Sequence, residues 1–375
     1  MPNIAESLDQ KLQKVCEQFC IEGTYLSYEE IKIGNVNKTY KVLYLQQDEV
    51  DPTRKKEKAF MVQAINTYAF KHPVQVMENI EKVTEFIRSK DPSRISLHFH
   101  HTKDRKNYVF DETGFWRLLN YVPSSTYSAT TNLKVIRNAG VAFGDFQMML
   151  ADFDAADLHE TIPDFHNTRK RYEQLEADVA MDATGRVAEV RQDLEWLLSV
   201  KEKACVLTDM LEAGRLPLRV THNDTKINNV LFDTQTDDAL VVIDLDTVMP
   251  GLVGHDFGDA IRFVANYVEE DCADANRAGV NMDVFRVFTD GFLSKTAKAL
   301  TPAELETLAM SSFVLSCELA TRFLDDYING DKYFHIKKKG HNLIRTRCQI
   351  ALAKDMLRKL DAMDAIVKAC VKKYQ

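Results

Sequence analysis

Three residues in one stretch of this sequence have the types and spacing that phosphoryl transfer needs. In Val220-Thr-His-Asn-Asp-Thr-Lys-Ile-Asn-Asn-Val-Leu-Phe232, the residues His222, Asp224 and Asn229 stand at H-x-D-x-x-x-x-N spacing. An unliganded carboxylate such as Asp224 can orient an attacking hydroxyl and accept its proton. Charge on the moving phosphoryl group needs a divalent cation, and Mg2+ favours oxygen ligands from one or two protein groups completed by phosphates and water. Asn229 and Asp244 suit that duty. Asn and Asp also favour turns and caps, where they hydrogen-bond locally, so the spacing alone leaves both readings open. Context favours the chemistry. The apolar segments 230–232 and 239–243 are joined by a polar turn over 233–238, and such a hairpin brings Asp244 back toward Asp224 and Asn229.

The elements that must carry these residues follow from periodicity. Leu8, Leu12, Val15 and Phe19, with Cys16 and Cys20, form the apolar stripe of a first helix, and core packing outweighs metal binding for the two thiols. Residues 24–31, 39–45 and 60–65 read as strands, with a short turn over 34–37 and a charged connection over 51–58. A helix opens near His72-Pro73 and stops at Lys90-Asp91-Pro92, carrying Val76, Ile80, Val83 and Ile87 on one face. Residues 95–100, 108–110 and 116–122 complete the strand candidates, and Pro123-Ser-Ser-Thr-Tyr-Ser128 reads as a linker. Helical periods then run over 139–153, 172–179, 187–211, 283–300, 302–327 and 343–374. The expectation is an α+β, two-lobed chain: a small β-rich lobe over 1–122 with a leading helix, and a large helical lobe over 123–375. The imidazoles of His98, His100 and His101 sit at a strand end with no cysteine or carboxylate cluster beside them, so a solvent-facing strand end is expected.

Composition narrows the function classes. The 375 residues are 45% hydrophobic and 28% charged, the balance of a folded chain. A net charge of -8 repels polyanions and argues against nucleic acid as a partner, while a nucleotide masked by Mg2+ can still bind locally. No apolar run approaches a membrane span, the N-terminus lacks a secretory pattern, and seven scattered cysteines without a C-x-x-C pair fit reduced thiols. A cytoplasmic protein with no membrane and no obligate protein partner is expected.

The chain resembles the aminoglycoside phosphotransferase and choline kinase group of protein-kinase-like enzymes, and within it the N-acetylhexosamine 1-kinases. The resemblance rests on THNDTKINNVLFD, VVIDLDTVMPG, HDFGDAIRF, AFGDFQ, RFLDDYINGDKYF and HNLIRTR. It implies a bilobal protein-kinase-like fold and ATP- and Mg2+-dependent phosphorylation of the anomeric hydroxyl of N-acetylglucosamine or N-acetylgalactosamine. Another acceptor of the same fold (an aminoglycoside, choline or another sugar) is the alternative. By resemblance Asp224 is the catalytic base and contacts substrate, Asn229 and Asp244 are the Mg2+ ligands, and Asn35, Asn37, Phe263, Arg322 and Tyr333 form the sugar pocket. Asn120 and Tyr121 fall at the hinge whose backbone binds adenine. Three departures stand out: Gly34 is the first turn's single glycine, Asn35 stands where the family has His, and Gln63 takes the place of a phosphate-binding lysine. Gln63 is the candidate nucleotide contact on that strand. Asp256, although its D-F-G context mimics a metal-binding motif, is expected to brace the catalytic loop.

Overall fold

The structure, a computed structural model, describes residues 7–32, 36–48 and 50–375. Gly34 and Asn35 lie outside the described residues. The chain forms two units, one of residues 1–123 with 158–162 and the other of 124–157 with 163–375.

The first unit is a five-stranded antiparallel sheet of β1 (Thr24–Ile31), β2 (Lys38–Gln47), β3 (Lys55–Ile65), β4 (Val109–Asp111) and β5 (Gly114–Asn120). Its order is β1-β2-β3-β5-β4. Alternation gives each strand two faces. On one face Tyr40, Val42, Phe60, Val62, Trp116 and Leu118 bury against Leu12, Val15 and Cys16 of α1 (Leu8–Cys16). Ser7 and Gln10 form a capping box that starts this helix. The opposite face carries the cross-strand row Thr39, Gln63 and Arg117, with Met77 of α2 (Pro73–Lys90) beside it. Asn79, buried on α2, ties residues 158–162 to this unit: its Nδ2 donates to the His159 carbonyl at 2.8 Å and its Oδ1 accepts the His159 N–H at 2.9 Å.

Three expectations for this unit need correction. The first helix ends at Cys16, so Phe19 packs from the following turn and Leu8 and Cys20 are exposed. Residues 95–100 alternate in burial, but beyond a single bridge from Phe99 to Leu119 they form no strand. The histidines there are half-buried rather than fully solvent-facing. The His98 and His100 rings lie 4.8 Å apart, His100 Nε2 pairs with Asn120 Oδ1 at 2.8 Å, and His101 Nε2 pairs with Glu81 Oε1 at 2.5 Å.

The second unit is built on α3 (Leu133–Met149), α4 (Thr168–Met181), α5 (Arg191–Ser199), α6 (Lys201–Ala204), α7 (Val206–Glu212), α8 (Val253–Val264), α9 (Met282–Thr296), α10 (Pro302–Ile328) and α11 (His341–Tyr374). The expected continuous helix over 187–211 is instead a 3-10 turn followed by the three short helices α5, α6 and α7, although Val190, Leu194, Leu197, Ala204 and Leu207 keep the helical spacing. Phe257 anchors the core, its ring centroid 5.4–6.1 Å from those of Phe285, Phe288 and Phe292. Two small antiparallel ladders lie on this base, β6 (Arg219–Thr221) with β9 (Met249–Gly251) and β7 (Val230–Phe232) with β8 (Ala239–Val242). Arg219 reaches Glu304 in the capping box of α10 with contacts of 2.5 and 2.8 Å, which fixes β6 to the longest packed pair of helices. Among the described residues no helix is long and apolar enough to cross a membrane.

Gly258 sits where α8 crosses α10: a Cβ there would lie 2.5 Å from the Ser311 carbonyl oxygen. The glycine of the D-F-G-like triplet thus serves helix packing. Gly258→Ala should lower unfolding stability by about 1–3 kcal/mol, as overpacked sites do; thermal melting of the folded variant checks this, and an unchanged midpoint would remove the packing role.

Candidate active site

The loop between β6 and β7 is held by carboxylates from below. Asp256 of α8 accepts the backbone N–H of His222 at 2.9 Å and that of Asn223 at 2.7 Å, and Gln147 of α3 donates to it at 2.6 Å. Asp259, one turn on, accepts the Thr225 N–H at 3.0 Å while Arg262 holds its other oxygen at 2.8 Å. Asp256 and Asp259 are both buried, so these N–H groups supply what desolvation removes. The expectation that Asp256 braces the loop agrees with these contacts.

With both flanking amides fixed, Asn223 takes a left-handed conformation (φ 64°), as does Asp244 (φ 62°). Non-glycine residues rarely adopt this region, and Asn and Asp tolerate it best. The Asn223 side chain explains the tolerance: it donates to the Thr247 carbonyl at 2.9 Å and accepts from Thr221 Oγ1 at 3.0 Å. His222 bridges the two halves of the site. Its Nε2 donates to the Ile243 carbonyl at 2.8 Å, its Nδ1 accepts the Asp224 N–H at 3.3 Å, and Phe143 and Phe146 pack their rings 5.9 Å away. A carbonyl on one nitrogen and an N–H on the other assign the ring proton to Nε2. The AFGDFQ stretch is therefore the wall behind this histidine.

Asp224 is partly exposed and ionised. Burial pushes its carboxyl up, but Lys226, 2.6 Å from Oδ1, together with Asn229 holds it below the usual carboxylate range. Asn229 Nδ2 donates to the Asp224 carbonyl at 2.8 Å and to Oδ2 at 3.2 Å. This orientation turns the Asn229 amide oxygen away from Asp224, and it is the kind of hard donor that Mg2+ takes. Asp244 is exposed and directly follows Ile243, whose N–H donates to the Asn229 carbonyl at 2.9 Å. The hairpin thus brings all three candidate residues to one end of the β7–β8 ladder. Their oxygen donors fit a divalent cation of the Mg2+ kind.

A second cluster lies behind the loop. His166 Nε2 meets the Asn223 carbonyl at 3.2 Å, and its Nδ1 meets Glu318 Oε1 at 2.9 Å. Glu318 also accepts from Thr168 at 2.9 Å and lies 3.8 Å from Arg322. The Arg322 guanidinium sits 5.3 Å from the Phe165 ring centroid and 5.6 Å from that of Phe334. Burial opposes charge on the buried pair, yet His166 and then Arg322 pull Glu318 down to about 2, and Glu318 raises His166 above its ordinary value. Tyr333 is mostly exposed, its ring edge-on to Phe334 at 4.8 Å. Asp326 shapes that turn by accepting the N–H groups of Lys332, Tyr333 and Phe334, with Asn342 donating to it from α11. Phe263 is partly buried on α8 beside Arg262.

The remaining candidates belong to the first unit. Asn37 accepts the Asn66 N–H at 3.0 Å, and the Asn120 N–H donates to the His98 carbonyl at 3.1 Å, so its hydrogen goes to the sheet margin. Tyr121 has Lys41 over its ring at 4.7 Å. Gln63 uses both ends of its amide, accepting from Arg117 Nε at 2.8 Å and donating to Thr39 Oγ1 at 3.1 Å. Glu81 turns to His101 and to Asn107, 3.3 Å away. The sequence reading missed Lys226, His166, Glu318 and the two phenylalanines. Lys226 was within reach, two residues past Asp224 in the same motif; the others carry no spacing signal because the segment before α4 and Glu318 of α10 meet only in the fold.

Comparison with known proteins agrees with this architecture. The solved structure of a microcompartment-associated aminopropanol kinase is similar over 94% of this chain and 98% of its own, with 14% identity and a TM-score of 0.62. An aminoglycoside phosphotransferase from Alicyclobacillus acidocaldarius matches at 12% identity, with 96% of each chain covered and a TM-score of 0.58. A choline kinase from Cryptosporidium parvum matches at 12% identity over 97% of this chain and 99% of its own, with a TM-score of 0.55. At these identities the likeness is one of fold, and it gives the protein-kinase-like architecture of the aminoglycoside phosphotransferase type. The model of the phosphotransferase enzyme family matches residues 68–287, more than half of the 375, and the segment includes the loop, the hairpin and α8. This chain, which places Asp224, Asn229 and Asp244 at one end of a hairpin that follows a loop braced by Asp256, belongs to the phosphotransferase enzyme family.

Proposed function

We propose that this phosphotransferase moves the terminal phosphoryl group of ATP, with Mg2+, to the anomeric hydroxyl of N-acetylglucosamine or N-acetylgalactosamine. The observation that carries the reading is the pairing of an ionised, loop-held Asp224 with Arg322 on its aromatic shelf, linked through Asn223, His166 and Glu318. Asn229 and Asp244 would hold Mg2+, which when bound neutralises charge on the phosphates. Asp224 accepts a hydrogen bond from the acceptor hydroxyl and points it for in-line attack. A carboxylate held below its ordinary pKa is a weak base, and an anomeric hydroxyl, more acidic than an ordinary alcohol, asks for little base strength. Arg322 and Tyr333 offer donors for ring hydroxyls, and Phe334 and Phe263 offer apolar surface.

The relatives that act on aminoglycosides or choline raise the question of a cationic acceptor. Such groups bind carboxylates or open aromatic faces. Here the Arg322 guanidinium already stands over Phe165 and Phe334. This favours a neutral polyol. Purified enzyme with ATP and Mg2+ should release ADP with an N-acetylhexosamine and not with choline or an aminoglycoside. Release only with a cationic acceptor would overturn the sugar assignment, and Asp224→Ala should cut turnover about 10²- to 10⁴-fold while sugar binding persists. Unchanged turnover in that variant would remove Asp224 from its role.

The shelf depends on a charge pair, which gives it a pH signature. Glu318 is held at about 2 against an ordinary 4.5, so its contribution is full above 4.5 and is lost as pH falls toward 2. His166 is raised above 6.5, so its contribution is full below 6.5 and is lost as pH rises through the raised value. His255, 4.9 Å from the His166 ring, stays neutral across this window, because burial and then His166 push it down to about 3. Glu318→Gln should therefore cost about 3 kcal/mol, the scale for breaking a buried ion pair. The loss should be largest between about pH 4.5 and 6.5 and shrink on either side. Melting curves of both proteins across pH 3–9 measure the difference, and a pH-independent gap would mean the pair is not charged.

A further inference from the structure

The peptide that joins Asn223 to Asp224 is held at both edges by imidazoles. Its N–H, on Asp224, donates to His222 Nδ1 at 3.3 Å. Its carbonyl, on Asn223, meets Nε2 of the buried His166 at 3.2 Å. A peptide unit is planar, so contacts on opposite edges fix its orientation, and the next soft dihedrals along the chain are those of Asp224.

The two rings hold this peptide in different ways. His222 meets the N–H with a bare nitrogen, while its Nε2 serves the Ile243 carbonyl. His166 meets an acceptor at each nitrogen, the Asn223 carbonyl at Nε2 and Glu318 Oε1 at Nδ1, 2.9 Å away. Glu318 is a carboxylate here, with Thr168 donating to Oε2 at 2.9 Å and Arg322 3.8 Å from Oε1. A neutral imidazole has one N–H and would aim a lone pair at one of these oxygens, whereas the imidazolium donates to both. The groups that face the ring favour the same state. On α10 these are Glu318 and Arg322, and on α8 Asp259 and His255; Arg171 of α4 acts on Glu318 and Arg322. Burial, and more weakly Arg322, oppose charge on the ring, but Glu318, with a smaller part from Asp259, raises His166 above 6.5. His255, pushed down to about 3 by burial and then by His166, adds no second charge.

We propose that the His166 imidazolium is a positioning residue for Asp224, acting through the Asn223 carbonyl, and that Glu318 keeps it charged. The assignment rests on the phosphotransfer role proposed for Asp224 and adds the group that aims it. A charge-assisted bond to the carbonyl holds the peptide more firmly than a neutral one. As pH rises through the raised value, the ring loses one proton. The proton that remains stays with the stronger acceptor, the carboxylate, and the Nε2 lone pair then faces the Asn223 carbonyl.

Two measurements on the full chain test it. In NMR with isotope-labelled histidine nitrogens, the His166 signal, assigned by its loss in His166→Gln, should show protons on both nitrogens at pH 6.5, the ordinary midpoint of an imidazole. ADP release is then followed against pH with ATP, Mg2+ and whichever of N-acetylglucosamine, N-acetylgalactosamine, choline and an aminoglycoside is turned over. In wild type kcat should fall at the pH where His166 titrates. His166→Gln, whose amide can still donate to the Asn223 carbonyl but cannot titrate, should lack that fall and keep more activity than His166→Phe. His166→Phe should lower kcat about 10- to 100-fold, with KM for ATP within about twofold of wild type. In an Asp224→Ala background the same change should cost nothing further. A His166 ring that is mostly neutral at pH 6.5, a fall that persists in His166→Gln, or equal losses from His166→Phe in both backgrounds would overturn the assignment and leave a structural histidine. The first two outcomes decide the matter even where His166→Phe does not fold. Wild-type protein that releases no ADP with any of these acceptors would instead overturn the phosphotransfer reading, and this assignment with it.

Discussion

Everything at the loop between β6 and β7 depends on one buried carboxylate. Asp256 accepts two consecutive backbone N–H groups, from His222 and Asn223, which a loop leaving a strand cannot satisfy by itself. Two bonds to one carboxylate set the direction of the chain at both residues. Asn223 must then turn left-handed, and Asp224 emerges with its carboxylate toward Asn229 and Lys226. Because Asp256 sits on α8, which crosses α10 at Gly258, the posture of Asp224 inherits the rigidity of the helical core. Strain at a left-handed residue, of order 1–3 kcal/mol, persists only where surrounding contacts over-determine it. The side-chain bonds of Asn223 and Asp256 meet that condition.

Much of this was legible in the sequence, for reasons that differ by element. The sheet strands announced themselves through aromatic and β-branched residues, of which Tyr40, Val42 and Tyr44 face the core one after another. The hairpin that carries Asp244 was legible from two apolar runs around a polar turn. Periodicity failed where it reports a face rather than a backbone path. Residues 187–211 keep one apolar face while the chain breaks at Val200 into separate short helices, and 95–100 alternate while pairing at a single bridge. At the site, the local motif exposed Asp224 and Asn229. The shelf of Phe165, His166 and Glu318 was hidden because its members are some 150 residues apart in the chain, His166 and Glu318 being separated by 152.

The chain's acidity also acquires a local meaning. A net charge of -8 sets the far field, but contacts within a few ångströms set the pKa values and the ligand preference. Around Asp224 burial pushes the carboxyl up, but Lys226, His222 and Asn229 together hold it below the usual carboxylate range. The same Lys226 is raised by Asp224 and Asp259 and stays charged. The pair therefore presents a hydrogen-bond acceptor with a cation beside it, which the proposed function gives to the substrate hydroxyl. A base tuned for a hard proton abstraction would need the opposite surroundings, apolar and free of cations, to lift its pKa toward neutrality. On the function proposed above, an acceptor whose hydroxyl is already acidic is the chemistry that a carboxylate held in this way can serve.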